Sequence, residues 1–319
     1  AVMGVVEVLK HYRWFKKQFY AMLDEIKELK PDALILIDYP GFNLRMAKKV
    51  HEALPDTKII YYISPKVWAW GKGRIPRMAA TLDKMLCILP FEEPLFEESG
   101  LDTTFVGNPI VDELEDRKID VDRDDKLVGL FPGSREREIS RLFPVMLDAA
   151  RRMRNDNESL KFEAPAASPK LAELMKKMLK KAKMNGDYIQ ITHSGGGSHE
   201  LMQRASCGVI ASGTATLEAA YYGLPYCLVY KIALPTYMLG KLLVKIKYIG
   251  LVNILAGKKV VDEFIQGEAD PLHIKEALEK FLKDPEHREK VEHEMAEAVS
   301  QLGERGCHIR AAKEVIKFA

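Results

Sequence analysis

Hydrophobic positions along the chain follow two alternating rhythms. Short, nearly continuous apolar runs are separated by longer stretches in which apolar residues recur every three or four positions. The first rhythm marks strands buried on both faces and the second marks amphipathic helices, so their alternation predicts parallel sheets flanked by helices. Strands are expected at Ala33–Asp38 (ALILID), Lys58–Ile63 (KIIYYI), Lys84–Leu89 (KMLCIL) and Thr103–Gly107 (TTFVG), with helical stretches such as Asn43–Leu54 and Gly73–Leu82 between them. A polar, charged segment, Val111–Asp125, breaks the alternation and reads as a linker. A second series then follows: KLVGLF (Lys126–Phe131), SLKFEA (Ser159–Ala164), YIQIT (Tyr188–Thr192), CGVIAS (Cys207–Ser212) and YCLVY (Tyr226–Tyr230). The pattern predicts an α/β protein with two doubly wound, Rossmann-like lobes and a cleft between them. The expected boundaries are an N-terminal lobe over 1–118, a second lobe over 119–300, and a closing helix over 301–319 that crosses back to the first. In such sheets ligands gather beyond the carboxyl ends of the strands.

Composition narrows the field. With 319 residues, 47% hydrophobic and 29% charged, the chain can bury two cores of ordinary size. Its 48 basic and 46 acidic side chains leave a net charge of +2, too little for general nucleic-acid binding, so any anion site must be local. The four cysteines, Cys87, Cys207, Cys227 and Cys307, are scattered without C-x-x-C spacing, which suits buried thiols in a reducing compartment. No apolar run approaches the roughly 20 residues of a membrane span and no signal-peptide pattern opens the chain, so a cytosolic location is expected. The histidines show no H-x-H or H-x-x-x-H pairing, and the D-x-D at Asp122–Asp124 reads as a solvated charge run. No metal or cofactor is expected.

Candidate chemistry concentrates at strand ends. In GLFPGSRERE, Gly129–Glu138, a strand hands over to a helix through Gly133, Ser134 and Arg135. A helix start offers unpaired N–H groups, Gly133 permits close backbone approach and Arg135 adds a forked donor, which together suit a pyrophosphate. An ordinary turn with Ser134 as N-cap is the competing reading. In ASGTATLEAAYYGLP, Gly213 and Thr214 open another helix and Glu218 lies one turn in, where a carboxylate can hold a ribose diol or simply sit in solvent. In HSGGGSHE, Gly195 and Gly196 belong to a loop able to wrap a planar base, or to a flexible surface loop. Asp38, at the end of LIDYPGFN, suits a general base or a turn former, with Asn43 as the expected N-cap of the next helix. Trp68 and Trp70, amid Lys66, Lys72 and Arg74, read as stacking platforms for sugar or acyl groups, or as a core pair. Leu234–Lys258 is apolar and punctuated by lysines, fitting either a helix lying on an anionic bilayer or a core helix, and Asn253 follows in a small-residue turn that can approach phosphate.

These segments, VMGVVEVL, IDYPGFN, YYISPKVWAW, LPFEEPLFEESG, FVGNPIVDE, LFPGSRERE, SGTATLEA and LVNILAGK, together resemble lipid A disaccharide synthase, a glycosyltransferase family of GT-B type. The resemblance implies transfer of a diacylated glucosamine from UDP-2,3-diacylglucosamine to the 6-hydroxyl of 2,3-diacylglucosamine 1-phosphate, with inversion and release of UDP. It implies work at the inner face of the cytoplasmic membrane, in the peripheral manner, and is compatible with a homodimer. Asp38 falls at the family's essential acid, Arg135 at its essential arginine, and Glu218 and Asn253 in segments that face UDP. The family begins with a strand and a Gly-rich E-x-S-G-D segment not found in this sequence, so the first lobe is expected to be incomplete. Two rival readings are a UDP-N-acetylglucosamine 2-epimerase-like enzyme, which would share the UDP lobe but release a free sugar, and a non-catalytic UDP-sugar-binding protein.

Overall fold

The computed structural model describes residues 12–184, 188–193, 197–234, 237–238, 240 and 246–318. The chain divides into two compact units, Ala1–Pro109 with Leu302–Ala319, and Ile110–Gln301.

The first unit runs α1 (Tyr12–Leu29), β1 (Ala33–Ile37), α2 (Pro40–Ala53), β2 (Lys58–Tyr62), α3 (Val67–Trp70), α4 (Ile75–Ala79), β3 (Lys84–Cys87), α5 (Glu92–Glu97) and β4 (Thr103–Phe105), and is completed by the C-terminal helix Cys307–Phe318. Its four strands are parallel and follow in order β1-β2-β3-β4. Alternate residues of a strand face opposite ways, and the core divides accordingly. Leu36, Ile59, Tyr61, Met85 and Cys87 pack on one side against Leu23 of α1 and Met46, Ala47 and Val50 of α2. Ile60, Tyr62 and Leu86 pack on the other against Cys307 and Ala311 of the C-terminal helix.

The second unit runs α6 (Ile110–Asp116), β5 (Asp124–Phe131), α7 (Glu136–Asp156), β6 (Lys161–Pro165), α8 (Pro169–Lys181), β7 (Ile189–Thr192), α9 (Gly197–Arg204), β8 (Ala205–Ala211), α10 (Ala215–Tyr221), β9 (Tyr226–Tyr230), α11 (Leu251–Ala256), β10 (Glu263–Ile265), α12 (Pro271–Lys283) and α13 (Pro285–Ser300). All pairings are parallel and the spatial order is β10-β9-β8-β5-β6-β7. Connections run outward in one direction from β5 through β6 to β7 and in the other from β8 to β10. The order therefore reverses between β5 and β8, where an open α/β sheet leaves a crevice. α7 forms because Ile139, Leu142, Phe143, Met146, Leu147, Ala150 and Met153 recur at helical spacing and all are buried. Elsewhere the starts are set by caps: Ser168 accepts from Leu171 N, and Asp270 from Leu272 N and His273 N.

The charged stretch Val111–Asp125 does not act as a plain linker. Its first part forms α6, which buries Val111 and Leu114, and its last two residues begin β5. Arg123 supplies the reason the segment is held: its half-buried guanidinium donates to Met202 O at 2.9 Å, to Ala205 O at 2.6 Å and to Tyr222 O. Of the expected Leu234–Lys258 helix, residues 235–236, 239 and 241–245, Leu242 and Lys245 among them, lie outside the described residues, and the described part is not one helix, since residues 246–250 are non-helical before α11 begins at Leu251.

Candidate active site

In the second unit a cavity of about 500 Å³ opens beyond the carboxyl ends of β5, β6, β7 and β8. That volume is in the range of small-molecule sites. The segments after all four strands contribute: Phe131–Arg135 with Glu138, Pro165–Pro169, His193 with Gly197–His199, and Ala211–Ala215 with Glu218. Arg117, just beyond α6, joins them.

Gly133 has φ +102°, a conformation that favours glycine, and a Cβ there would meet Glu138 Oε2 at 2.6 Å. The turn can therefore be made by little else. It delivers the chain to Arg135, the extended residue at the cap of α7, whose side chain caps nothing in the helix. Arg135 is instead 2.9 Å from Glu138 Oε1, and its side chain is 61% exposed. The first turn of this 21-residue helix carries N–H groups without intrahelical partners, the standard setting for an anion. Gly213 differs: a Cβ there would meet nothing within 4 Å, so the packing of the protein itself does not require glycine at this place on the cavity wall. Thr214 is exposed at the start of α10, with its side chain capping nothing, while Thr216 Oγ1 donates to Gly213 O at 2.7 Å. α10 is only seven residues long, so most of the helix-terminus field comes from α7.

Glu218 is half-buried on this wall. Burial, and next the Glu113 charge, raises its carboxyl above the ordinary value, with Arg117 opposing. His199 shifts the other way: burial and the Arg117 charge lower its imidazole below the ordinary value, which favours the neutral ring. Arg117, Glu138, His193 and His199 were not singled out by sequence reasoning. The only available signal was that both histidines flank the Gly-rich loop. Gly195 and Gly196 themselves lie outside the described residues.

In the first unit Asp38 follows β1 with an exposed carboxylate. Asp38 and Tyr39 have φ +47° and +45°, two consecutive non-glycine residues in the left-handed region. Each costs on the order of 1–3 kcal/mol and persists only when its surroundings enforce it. They do so here: Asp38 N donates to Tyr62 O at 2.9 Å, Tyr61 Oη donates to Asp38 O at 2.6 Å, and Asn43 Nδ2 donates to Ile37 O at 2.9 Å and Asp38 O at 2.8 Å. Asn43 is thus not the N-cap expected from sequence. α2 already begins at Pro40, and the Asn43 side chain turns back to fix the strand end. The Tyr61 hydroxyl is pushed above its usual range by burial and by the Asp38 charge.

The tryptophans part company. Trp68 is buried, donates from Nε1 to Glu92 Oε1 at 2.9 Å and meets Phe91 edge-on, so its ring is a core element. Trp70 is 54% exposed, with the Arg74 guanidinium 4.5 Å from its ring centroid. Asn253 is fully buried and is not among the cavity-lining residues. Its amide donates to Val261 O and Glu263 Oε1 and its oxygen accepts from Val260 N and Val261 N, so the side chain braces the turn before β10. Among the described residues no group of three or more His, Cys, Asp and Glu side chains gathers as a metal site.

Two parallel-sheet units, one with a cavity at its strand-order reversal, define an α/β protein with a GT-B fold. Solved structures share this architecture at 13% identity, a level that speaks for the fold alone. A Staphylococcus aureus MnaA–UDP co-structure matches with TM-score 0.63 over 96% of this chain and 81% of that one. A UDP-GlcNAc 2-epimerase from Neisseria meningitidis bound to UDP-GlcNAc also matches with TM-score 0.63, over 99% and 83%. The sequence itself is more specific. The chain belongs to the lipid-A-disaccharide synthetase family, whose model matches residues 1–317. It is 39% identical to the lipid-A-disaccharide synthase of Trichlorobacter lovleyi, over 100% of this chain and 83% of that protein. It is 38% identical to that of Syntrophus aciditrophicus, over 98% and 82%. The epimerase reading is accordingly not favoured.

Proposed function

We propose that the chain transfers a diacylated glucosamine from its UDP derivative to the 6-hydroxyl of a diacylglucosamine 1-phosphate, inverting the anomeric carbon and releasing UDP. The carrying observation is the cavity at the β5/β8 reversal, entered by Gly133 and Arg135 at the start of α7. Such a place suits a diphosphate, and Glu218 on the same wall suits the ribose hydroxyls of the attached uridine.

Asp38 takes the proton of the acceptor hydroxyl while that oxygen attacks the anomeric carbon. The bond from that carbon to the β-phosphate oxygen breaks, and its electron pair leaves with UDP. Arg135 and the first-turn N–H groups of α7 meet the charge that develops there. The partly exposed Arg135–Glu138 pair is weak, so a diphosphate can take the place of Glu138. Because both substrates carry acyl chains, the enzyme works at the inner face of the cytoplasmic membrane as a peripheral protein. Among the described residues no helix is long and apolar enough to cross it.

The test is the formation of disaccharide from UDP-diacylglucosamine and diacylglucosamine 1-phosphate. The wild-type chain should form it, and Asp38→Asn should lower turnover by about 10²–10⁴ with UDP affinity unchanged. A variant keeping most of its rate would remove Asp38 from this role, and release of free sugar in place of disaccharide would favour an epimerase.

A further inference from the structure

Glu138 lines the cavity of the second unit, and the transfer reaction leaves it without a part. The acids on the cavity wall are Glu138 and Glu218. Glu218 suits a ribose diol. A further carboxylate beside a diphosphate is a like charge, and it costs affinity unless it has another task.

Its placement supplies one. Glu138 is the third residue of α7, so its side chain reaches back over the first turn, whose N–H groups lack intrahelical partners. Its Oε1 lies 2.9 Å from Arg135 Nη1, and its Oε2 lies 2.6 Å from where a Cβ on Gly133 would stand. The carboxylate thus rests against the guanidinium, the glycine and the helix start together, the three features that suit this place to a diphosphate. A capping box would be a purely local reason for an acid at this helical position. That motif needs a return bond from the side chain before the helix, and the Arg135 side chain caps nothing. The pair is also open to water, with side chains 61% and 34% exposed, so its partners exchange at little cost.

We infer that Glu138 is the resident anion of this site: it holds Arg135 while no diphosphate is bound, yields it to the donor, and reclaims it as UDP departs. The exchange hastens product release at some loss of affinity. It rests on the reading that Arg135 and the start of α7 hold the diphosphate, and it adds what restores the site after turnover.

Calorimetry and stopped-flow dissociation of UDP from the full chain test this, with uridine as the control ligand and salt held fixed. Glu138→Gln keeps the shape of the side chain and removes its charge, and Gln serves like Glu near a helix start, so the fold should persist. It should bind UDP about three- to tenfold more tightly than the wild type, release it more slowly by the same factor, and bind uridine equally. In turnover, inhibition by added UDP should strengthen to match. With Arg135→Ala already in place, adding Glu138→Gln should change UDP affinity by less than about twofold. Unchanged or weaker UDP affinity in Glu138→Gln would overturn the inference and leave Glu138 a residue of helix structure alone. So would an equal gain in the Arg135→Ala background, which would mean plain repulsion between carboxylate and diphosphate. Should Arg135→Ala weaken UDP while Glu138→Gln brings no gain, the diphosphate site stands and the resident anion fails. Should Arg135→Ala leave UDP affinity unaltered, the site itself is misplaced and the inference falls with it.

Discussion

Asp38 and Tyr39 hold strained backbone that Tyr61, Tyr62 and Asn43 hold in place through four hydrogen bonds. An aspartate at the end of an apolar strand is visible in sequence, because its position depends only on where the apolar run stops, although in β1 only Leu36 is buried. Its supports are not visible, since Tyr61 reads as one more apolar strand residue and Asn43 as a cap. Glu92 shows the same limit. It is 1% exposed, its carboxyl is raised by burial, and it accepts from Trp68 Nε1 at 2.9 Å and from Leu89 N at 3.2 Å. In sequence it is one of two adjacent acids at a helix start. Glu92→Ala strands two buried donors and should destabilise the protein by about 1–3 kcal/mol, measured by denaturant unfolding. A change within about 0.5 kcal/mol, the range of an ordinary surface substitution, would show that Trp68 is held by packing alone.

Among elements, β2, β3, β5, β8 and β9 were legible because parallel strands buried on both faces are continuous apolar runs. β10 was missed because it is three residues long and half-buried, too short for any periodicity. The charged segment before β5 was misread because α6 buries only Val111 and Leu114, and its remaining order comes from long-range partners such as Arg123. The two cavity walls were found from glycine placement, yet only one of the two glycines is required by local structure: Gly133 has φ +102°, whereas a Cβ at Gly213 would meet nothing within 4 Å. On the second wall, Glu218 should make UDP binding depend on pH. Its ionisation lies above the ordinary value of 4.5, and the ionised form is the better acceptor for ribose hydroxyls. UDP affinity should therefore rise as pH rises through the range above 4.5, and Glu218→Gln should flatten that component when the two proteins are titrated in parallel. Parallel curves for the two proteins would place the ribose elsewhere.

For the molecule as a whole, each unit has its own sheet and its own buried core, and the first is closed by a helix from the far end of the chain. Alternating strand and helix patterns made two α/β units legible, but the exact junctions were not, because they depend on which unit α6 packs into. Separate cores predict separable unfolding. UDP should raise the stability of the second unit by about 2.7 kcal/mol at a hundred times its dissociation constant and leave the first unit's transition in place. Hydrogen exchange followed with and without UDP would report this unit by unit. Equal protection of both units would contradict an assignment of UDP to the second unit alone.

The most direct measurement is the affinity of the wild-type chain and of Arg135→Ala for UDP and for uridine, by calorimetry at fixed salt. A charge-assisted contact to the diphosphate is worth about 1.5–3 kcal/mol, so the variant should bind UDP roughly 10- to 100-fold more weakly while uridine binding stays the same. Unchanged UDP affinity, or equal loss for both ligands, would mean that the start of α7 does not hold the leaving group.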